Sequence, residues 1–473
     1  MQHDLPLVVD LDGTLLKSDM LLETLMRVAR REPWRLVFVP FWLMRGRASL
    51  KRELARRGAF DPASLPYDAA VLEELRVQHA SGRPLVLATG SDSAAATCIA
   101  DHLRLFDRVF ASDGVTNLKG EAKARLLVDT FGEKGFEYAG NDRFDLPCWR
   151  RASAAIVAGA NATMVRALQA EGIPQRSLPR ARPALPGLLR AARPHQWAKN
   201  LLLFVPLLTA HLIFDAGALG QGAIAFLAFC LAASAVYVAN DLMDLEDDRR
   251  DPVKRRRPLA SGELSIAMAL AAIPLLLAAA AVAASRLPGA FAALLGVYAV
   301  TSLAYSLWLK RVVMLDVVVL AGLYTLRILA GAAAVQVVVS HWLLAFSVFM
   351  FLSLALAKRY VQVGNASARD EPRVFGRGYQ PGDGNVLAMF GASSGYISVL
   401  VFALYLTSAQ VVALYSRPEV LWLACPLLLY WISRVWLLAH RGELDEDPVL
   451  FAVHDSASYF VAAAVVGVMA LAA

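Results

Sequence analysis

Cysteine is scarce in this chain: there are 4 among 473 residues, Cys98, Cys148, Cys230 and Cys425, with no paired spacing among them. That excludes a disulfide framework and a cysteine zinc site, and it leaves all of them as small buried hydrophobes. Charge is scarce too. Charged residues make up 18% of the chain against 57% hydrophobic, and the mean hydropathy is +0.49. Such a balance is too apolar for an entirely water-soluble protein. The start, Met1 to Asp10, lacks the basic stretch, apolar run and small-residue cleavage site of an export signal, so the N-terminal part is expected to stay in the cytoplasm.

What is present divides near Arg193. Before it, charges interrupt every hydrophobic run; after it, Leu/Ala/Val stretches reach the roughly 20 residues that span a bilayer. The expected organisation is a soluble α/β domain over 1–170, a basic proline-rich linker over 171–192 that includes Leu178-Pro-Arg-Ala-Arg-Pro-Ala-Leu-Pro186, and an all-α membrane domain over 193–473. The net charge of +7 suits a protein held against anionic lipid. No nucleic-acid partner is expected, and the pattern leaves the oligomeric state open.

Leu5 to Leu15 is an apolar run that reads as a buried parallel strand ending in two carboxylates and a glycine turn. Further strands are expected at Pro84 to Leu87, Arg108 to Ala111, Phe136 to Ala139 and Ala154 to Val157, alternating with helices in a doubly wound pattern whose ligands bind at the carboxyl ends of the strands. The insertion from Ser18 to about Tyr67 reads as a helical cap. Its stretch Trp34 to Met44, flanked by Arg31, Arg45 and Arg47, is too short to span a bilayer; it either rests on the membrane or forms an apolar cap core.

Asp10-Leu-Asp-Gly-Thr14 resembles the first motif of the HAD phosphohydrolases, and the later motifs follow in order. That resemblance implies a Rossmann-like fold in which Asp10 is the nucleophile and Asp12 the acid/base. It also implies that Thr89 holds a phosphoryl oxygen and that Lys123, in preference to Lys119, offsets charge on the transferring group. A carboxylate nucleophile splits one hard displacement into two easier ones through an aspartyl-phosphate. The fourth motif, Gly140-Asn-Asp-Arg-Phe-Asp145, departs from the family pattern by placing Asn141 where the first of two acidic metal ligands stands. A Mg²⁺ site of Asp10, the Asp12 carbonyl, Asn141 and Asp145, with Asp142 adjacent, is the resulting expectation.

Beyond Arg193, nine spans are expected, centred near residues 207, 230, 275, 298, 323, 350, 398, 426 and 464. Basic loops at Arg249 to Arg257, Lys310-Arg311, Lys358 to Arg377 and Arg434 to Arg441 alternate with nearly uncharged ones around Gly220, Pro288, Gln336 and Gln410. The positive-inside rule puts the basic set, and the soluble domain with it, on the cytoplasmic side of the bacterial inner membrane.

At the end of the second expected span stands Asn240-Asp-Leu-Met-Asp-Leu-Glu-Asp-Asp-Arg-Arg-Asp-Pro-Val-Lys-Arg-Arg-Arg-Pro258. Asn240, Asp244 and Asp248 recur at four-residue steps and Asp241 lies three before Asp244, so all share one face if the helix continues that far. A carboxylate cluster repels itself unless it holds a cation, and Mg²⁺ bridging a diphosphate suits it; Lys254 to Arg257 supply cations for phosphate oxygens. The segment resembles the NDxxDxxxD motif of the UbiA prenyltransferase superfamily.

Three further segments resemble the decaprenyl-phosphate phosphoribosyltransferase branch: Arg193-Pro-His-Gln-Trp-Ala-Lys-Asn200, Tyr305-Ser-Leu-Trp-Leu-Lys310, and the following helix with Asp316 and Arg327. That branch implies phosphoribosyl diphosphate (PRPP) as donor, a polyprenyl phosphate as acceptor, and Lys199, Asn200, Lys254, Arg257, Tyr305, Lys310, Arg327 and Arg377 as substrate contacts. Arg377 lies in Gly376-Arg-Gly-Tyr379; Asp447 and Asp455 are weaker candidates. The 5-phosphate of the product is then a natural substrate for the fused HAD domain, on the way to a lipid-linked pentose of the arabinofuranose type. Two alternatives stay open: alkylation of an aromatic acceptor by a prenyl diphosphate, and a phosphatase on a non-catalytic scaffold or transporter.

Overall fold

The computed structural model describes residues 5–159, 162–178, 184–368, 377–408, 411, 415–444 and 447–472. Residues 179–183 of the expected linker, residues 369–376 of the third basic loop, Gly376 among them, and Gln410 lie outside the described residues.

Two compact units emerge, one of residues 1–192 with 238–272, the other of 193–237 with 273–473. The first is built on a parallel sheet of β1 (Leu7–Val9), β2 (Leu85–Asp92), β3 (Arg108–Ser112), β4 (Glu137–Gly140), β5 (Ala155–Ala158) and β6 (Gln175–Leu178), in the order β3-β2-β1-β4-β5-β6. Side chains alternate across each strand, and both faces are covered. Leu7, Val9, Leu85 and Leu87 pack with Ile99 on one side, while Val8, Val86, Tyr138 and Trp149 pack on the other. The chain runs outward from β1 through β2 to β3 and then returns to β4 on the opposite side of β1. The carboxyl ends of β1 and β4, where Asp10 and Asn141 stand, therefore form the switch-point crevice of such a sheet.

The cap opens and closes on one bridge, Leu16 to Tyr67, and holds three helices: α1 (Met20–Arg31), α2 (Val39–Met44) and α3 (Arg47–Arg57). Asp19 caps α1, its side chain accepting the Leu21 N–H at 2.8 Å. The stretch expected as linker contains β6 and a helix at Ala184–Ala191. Gln175 to Leu178 is a polar edge strand, and an edge strand needs no apolar alternation.

Among the described residues, seven of the nine expected segments are helices long and apolar enough to cross a membrane: Ala216–Met243, Ile266–Ala284, Gly289–Leu307, Leu315–Ala334, His341–Ala368, Pro381–Leu406 and Pro418–His440. The other two are shorter. Ser456–Ala472 is a 17-residue apolar helix. The segment near 207 is a 3₁₀ stretch, Pro194–Phe204, followed by the single turn Val205–Thr209, with Pro194 and Pro206 interrupting the helical ladder and Arg193 and His211 at positive φ bounding it. One core cluster packs Phe229 against Tyr298 and Phe291, with ring centroids 4.7 and 6.1 Å away.

Candidate functional site

Asp10 and Asp12 leave the end of β1 on a turn that needs glycine: Gly13 has φ +78°, and a Cβ there would run into the Asn141 amide. The two aspartates, Lys119, Lys123, Asn141, Asp142 and Asp145 line one cavity of about 410 Å³, with Leu21, Leu43, Arg47, Leu50 and Lys51 contributed by the cap. Lys123 Nζ donates to Asp10 Oδ1 at 2.6 Å and to Tyr138 Oη at 2.8 Å, and stands 3.7 Å from Asp145 Oδ1. Lys119 instead lies over the Phe144 ring. Asp12 accepts the Met20 N–H at 2.8 Å and the Ser91 hydroxyl at 2.6 Å. Burial pushes the Asp10 carboxyl up to about 7, Lys123 opposing and Asp145 and Asp12 adding to the rise; burial likewise raises Asp12 to about 6, with Asp19 adding.

Thr89 is fully buried, its hydroxyl accepting the Ser91 N–H at 3.0 Å, and Gly90 takes its place in the lining. Asp145 Oδ1 accepts from Tyr138 Oη at 2.8 Å and Oδ2 from the backbone N–H of Asn141 and Asp142 at 2.9 and 3.2 Å. It therefore braces the loop carrying Asn141 while facing the same cavity, and the oxygens that could hold Mg²⁺ are those of Asp10, Asp145, the Asn141 side chain and the Asp12 carbonyl. Asp10, Asp12 and the Asn141 amide face one cavity, and hard oxygen donors of that kind suit a divalent cation.

The Asp-rich segment belongs to the same unit. The helix Ala216–Met243 breaks at Asp244 and resumes as Leu245–Arg250, yet the four-residue ladder persists, Asp244 N donating to Asn240 O and Asp248 N to Asp244 O, both at 2.8 Å. Asp241 and Asp248, both buried, share the Arg257 guanidinium at 3.2 and 2.6 Å. Burial raises the Asp248 carboxyl to about 6 even though Arg257 pulls it down, and Asp241 adds to the rise. The Asn240 side-chain oxygen is buried without a hydrogen-bond partner, which is costly unless something accepts that lone pair. An orphaned oxygen beside two carboxylates fits a hard cation. Among the described residues, no three His, Cys, Asp or Glu side chains converge as a finished cage, and Arg257 holds one oxygen each of Asp241 and Asp248. Lys254 pairs with Asp251 at 3.5 Å.

Cap helix α1 grips this segment. Glu23, 1% exposed, receives both Arg249 nitrogens at 2.6 and 2.9 Å, the Ser18 hydroxyl at 2.6 Å and Arg27 at 3.1 Å; Arg30 pairs with Asp247 and Arg31 with Glu246. Burial alone would raise the Glu23 carboxyl, but Arg249 and Arg27 outweigh it and hold it below its ordinary value. A depressed carboxyl contributes stability above its unfolded pKa and loses it as pH falls, so this interlock is complete at neutral pH and fails only in acid. Arg249→Ala leaves Glu23 buried without its main partner and is expected to destabilise this unit by about 3–5 kcal/mol, read as an earlier first transition in thermal unfolding.

In the second unit four groups of polar residues stand out. Asp316, fully buried, accepts from Arg359 Nε at 2.5 Å and Tyr379 Oη at 2.6 Å, and Arg377 approaches at 3.5 Å; Arg359 and Arg377 both donate to Tyr305 Oη, at 2.7 and 3.1 Å. Lys310 meets this group through its carbonyl, which accepts from Arg377 at 3.4 Å. Arg327 does not snorkel: it is 5% exposed and donates to Asn200 Oδ1 at 2.9 Å, Leu323 O at 2.7 Å and Tyr298 Oη at 3.2 Å. Lys199 and Lys358 converge on Asp447, and Arg434 clasps Asp455 at 2.8 and 2.9 Å. Sequence reasoning missed Arg359 and Lys358. In the sequence the Lys358–Arg359 pair reads as the start of a loop, whereas the helix His341–Ala368 continues nine residues past Arg359.

The sequence profile of the UbiA prenyltransferase family matches residues 201–463. The protein y4nM of Sinorhizobium fredii is 39% identical over 471 residues, spanning 99% of this chain and 91% of its own length. The decaprenyl-phosphate phosphoribosyltransferase of Mycolicibacterium smegmatis is 37% identical over 181 residues, 37% of this chain and 57% of its own. A substrate-bound phosphoserine phosphatase structure is 16% identical, with TM-score 0.26, and covers 35% of this chain and 91% of its own.

Proposed function

Because the chain belongs to the UbiA prenyltransferase family, we propose that its membrane domain transfers 5-phosphoribose from PRPP to a polyprenyl phosphate and that its HAD-like N-terminal domain removes the 5-phosphate from the product. The observation that carries this reading is the buried Asp10–Lys123 pair at a sheet switch point, in a chain 181 residues of which align with a phosphoribosyltransferase. An enzyme that makes a phosphomonoester and carries its own carboxylate nucleophile gains a high effective concentration for the second step.

In the transfer, the lipid phosphate oxygen attacks C1 of the ribose and diphosphate departs. Asn240, Asp241, Asp244 and Asp248 would hold Mg²⁺, and Lys199, Asn200, Arg257, Tyr305, Lys310, Arg327 and Arg377 are the proposed contacts for phosphate oxygens. Lys254 has the weakest claim, being spent on Asp251. Bound Mg²⁺ supplies charge neutralisation on diphosphate and phosphoryl oxygens in both domains.

In the hydrolysis, Asp10 attacks phosphorus and the ribose 5-oxygen leaves with the Asp12 proton. Water then attacks the aspartyl-phosphate while Asp12 takes the proton back, and phosphate is released. Lys123 neutralises the phosphoryl oxygens, Asp145 braces Asn141, and Thr89, through Ser91, steadies Asp12. An inner-membrane location with the N-terminal domain in the cytoplasm completes the proposal.

The donor decides between this reading and a prenyl transfer. With Mg²⁺ present, purified protein is expected to incorporate pentose from labelled PRPP into polyprenyl phosphate, and to give no product from a prenyl diphosphate with an aromatic acid. Product only in the second reaction overturns the assignment.

A further inference from the structure

The cap stretch Pro33 to Met44 is not a core. A 3₁₀ turn, Pro33–Phe38, runs into α2, and only one side of the pair is packed: Trp42 is buried among Val28, Leu50 and Leu54, with Val39 against them. The other side carries Trp34 (61% exposed), Val37 (79%), Phe38 (45%), Phe41 (49%) and Met44 (86%). Five large apolar side chains on one short stretch make a contiguous patch of the kind that marks an interaction surface. Along the chain basic residues flank it, Arg31 before and Arg45 and Arg47 after, with Arg35 within it and the single acid Glu32; Arg31 pairs with Glu246 and Arg35 with Glu32. The Arg45 guanidinium lies 4.4 Å from the Phe41 ring and that of Arg35 4.7 Å from the Trp34 ring, so the charges stand beside the aromatic faces.

The same stretch reaches the phosphatase cavity. Leu43, 49% exposed, lines it together with Leu21 and Leu50, opposite Asp10 and Lys123. The cap side of the cavity therefore mixes Leu21, Leu43 and Leu50 with Arg47 and Lys51, and Leu43 belongs to the same stretch as the exposed patch, while the floor carries Asp10 and Lys123.

We infer that this patch seats in the headgroup and upper acyl region of an anionic bilayer, and that the cavity beneath it takes a phosphomonoester carried on a membrane lipid. Two features select a bilayer over a protein partner. The patch pairs aromatic and aliphatic tips with arginines, which suits an interface whose outer layer is anionic and whose inner layer is hydrocarbon, and a chain with seven helices long and apolar enough to cross a membrane is always beside one. The choice of lipid-borne substrate rests on the phosphatase reading of the cavity; the contact with lipid does not.

The test uses the full chain in nanodiscs containing anionic lipid, with Cys98 and Cys425 replaced by Ser and an environment-sensitive fluorophore placed at Phe38→Cys or, as control, at the exposed Val77→Cys. The label at 38 is expected to shift to the blue and to be quenched several-fold more than the label at 77 by lipids brominated near the glycerol. A label at 38 that reports water, or that is shielded yet unquenched by lipid because a second copy or another protein covers it, overturns the inference. In parallel, Phe38→Asp with Phe41→Asp and Met44→Asp is expected to slow release of phosphate from a lipid-linked phosphopentose about tenfold while leaving hydrolysis of p-nitrophenyl phosphate unchanged. Equal loss on both substrates overturns the lipid-substrate half. If wild type hydrolyses neither, the phosphatase reading fails while the quenching result still decides the lipid contact.

Discussion

Asp10→Asn is expected to halt the proposed sequence at the phosphorylated pentosyl lipid, with phosphate release falling by about 10³- to 10⁶-fold, the range for removing a covalent nucleophile. The substitution keeps the side chain's shape and removes the attacking oxygen. It also strips the 2.6 Å ionic partner from Lys123, which is 3% exposed, leaving Asp145 at 3.7 Å as the nearest carboxylate. Some destabilisation therefore accompanies the loss, and the control is transfer itself, which should continue undiminished in the same preparation. Mass spectrometry of the lipid fraction separates the two products by one phosphate. Full dephosphorylation by Asp10→Asn protein would remove the carboxylate from the mechanism.

Asp241→Ala is expected to do the reverse, abolishing pentose transfer by about 10³-fold or more, the scale for removing a group that stabilises charge only in the transition state, while hydrolysis of a soluble phosphomonoester continues. Asp241 is 2% exposed and shares Arg257 with Asp248; the Asn240 oxygen beside it has no partner. Deleting one carboxylate releases Arg257 wholly to Asp248 and weakens the hold on any cation. Asp241→Asn separates charge from shape: retention of most transfer activity by that variant would mean that Asp241 contributes an oxygen and not its charge.

The strand ends were legible because each follows a short apolar run closed by polar residues, and Asp10, Asp12 and Lys123 fall in one cavity as their motif order implies. Thr89 was harder, because the hydroxyl at the end of β2 points into backbone and Gly90 faces the cavity. β6 escaped because Gln175 to Leu178 has neither alternation nor apolar content. Seven long apolar helices announce themselves by composition, whereas the 207 segment has the right residues and the wrong backbone, broken at Pro206 and His211. Arg359 was hidden by its position, since a basic pair near a hydrophobic run reads as a loop until the helix is seen to continue. The Glu23–Arg249 interlock joins residues 226 apart, and no local pattern in either segment announces such a pair.

The most direct test of the two-step account is one incubation of wild-type protein in detergent with Mg²⁺, PRPP labelled in the ribose and polyprenyl phosphate, followed over time by mass spectrometry of the lipids. A phosphopentosyl lipid that rises first and gives way to its dephosphorylated form is the expected course. Folded protein that leaves the polyprenyl phosphate unmodified, or that accumulates the phosphopentosyl lipid without ever losing the phosphate, contradicts it.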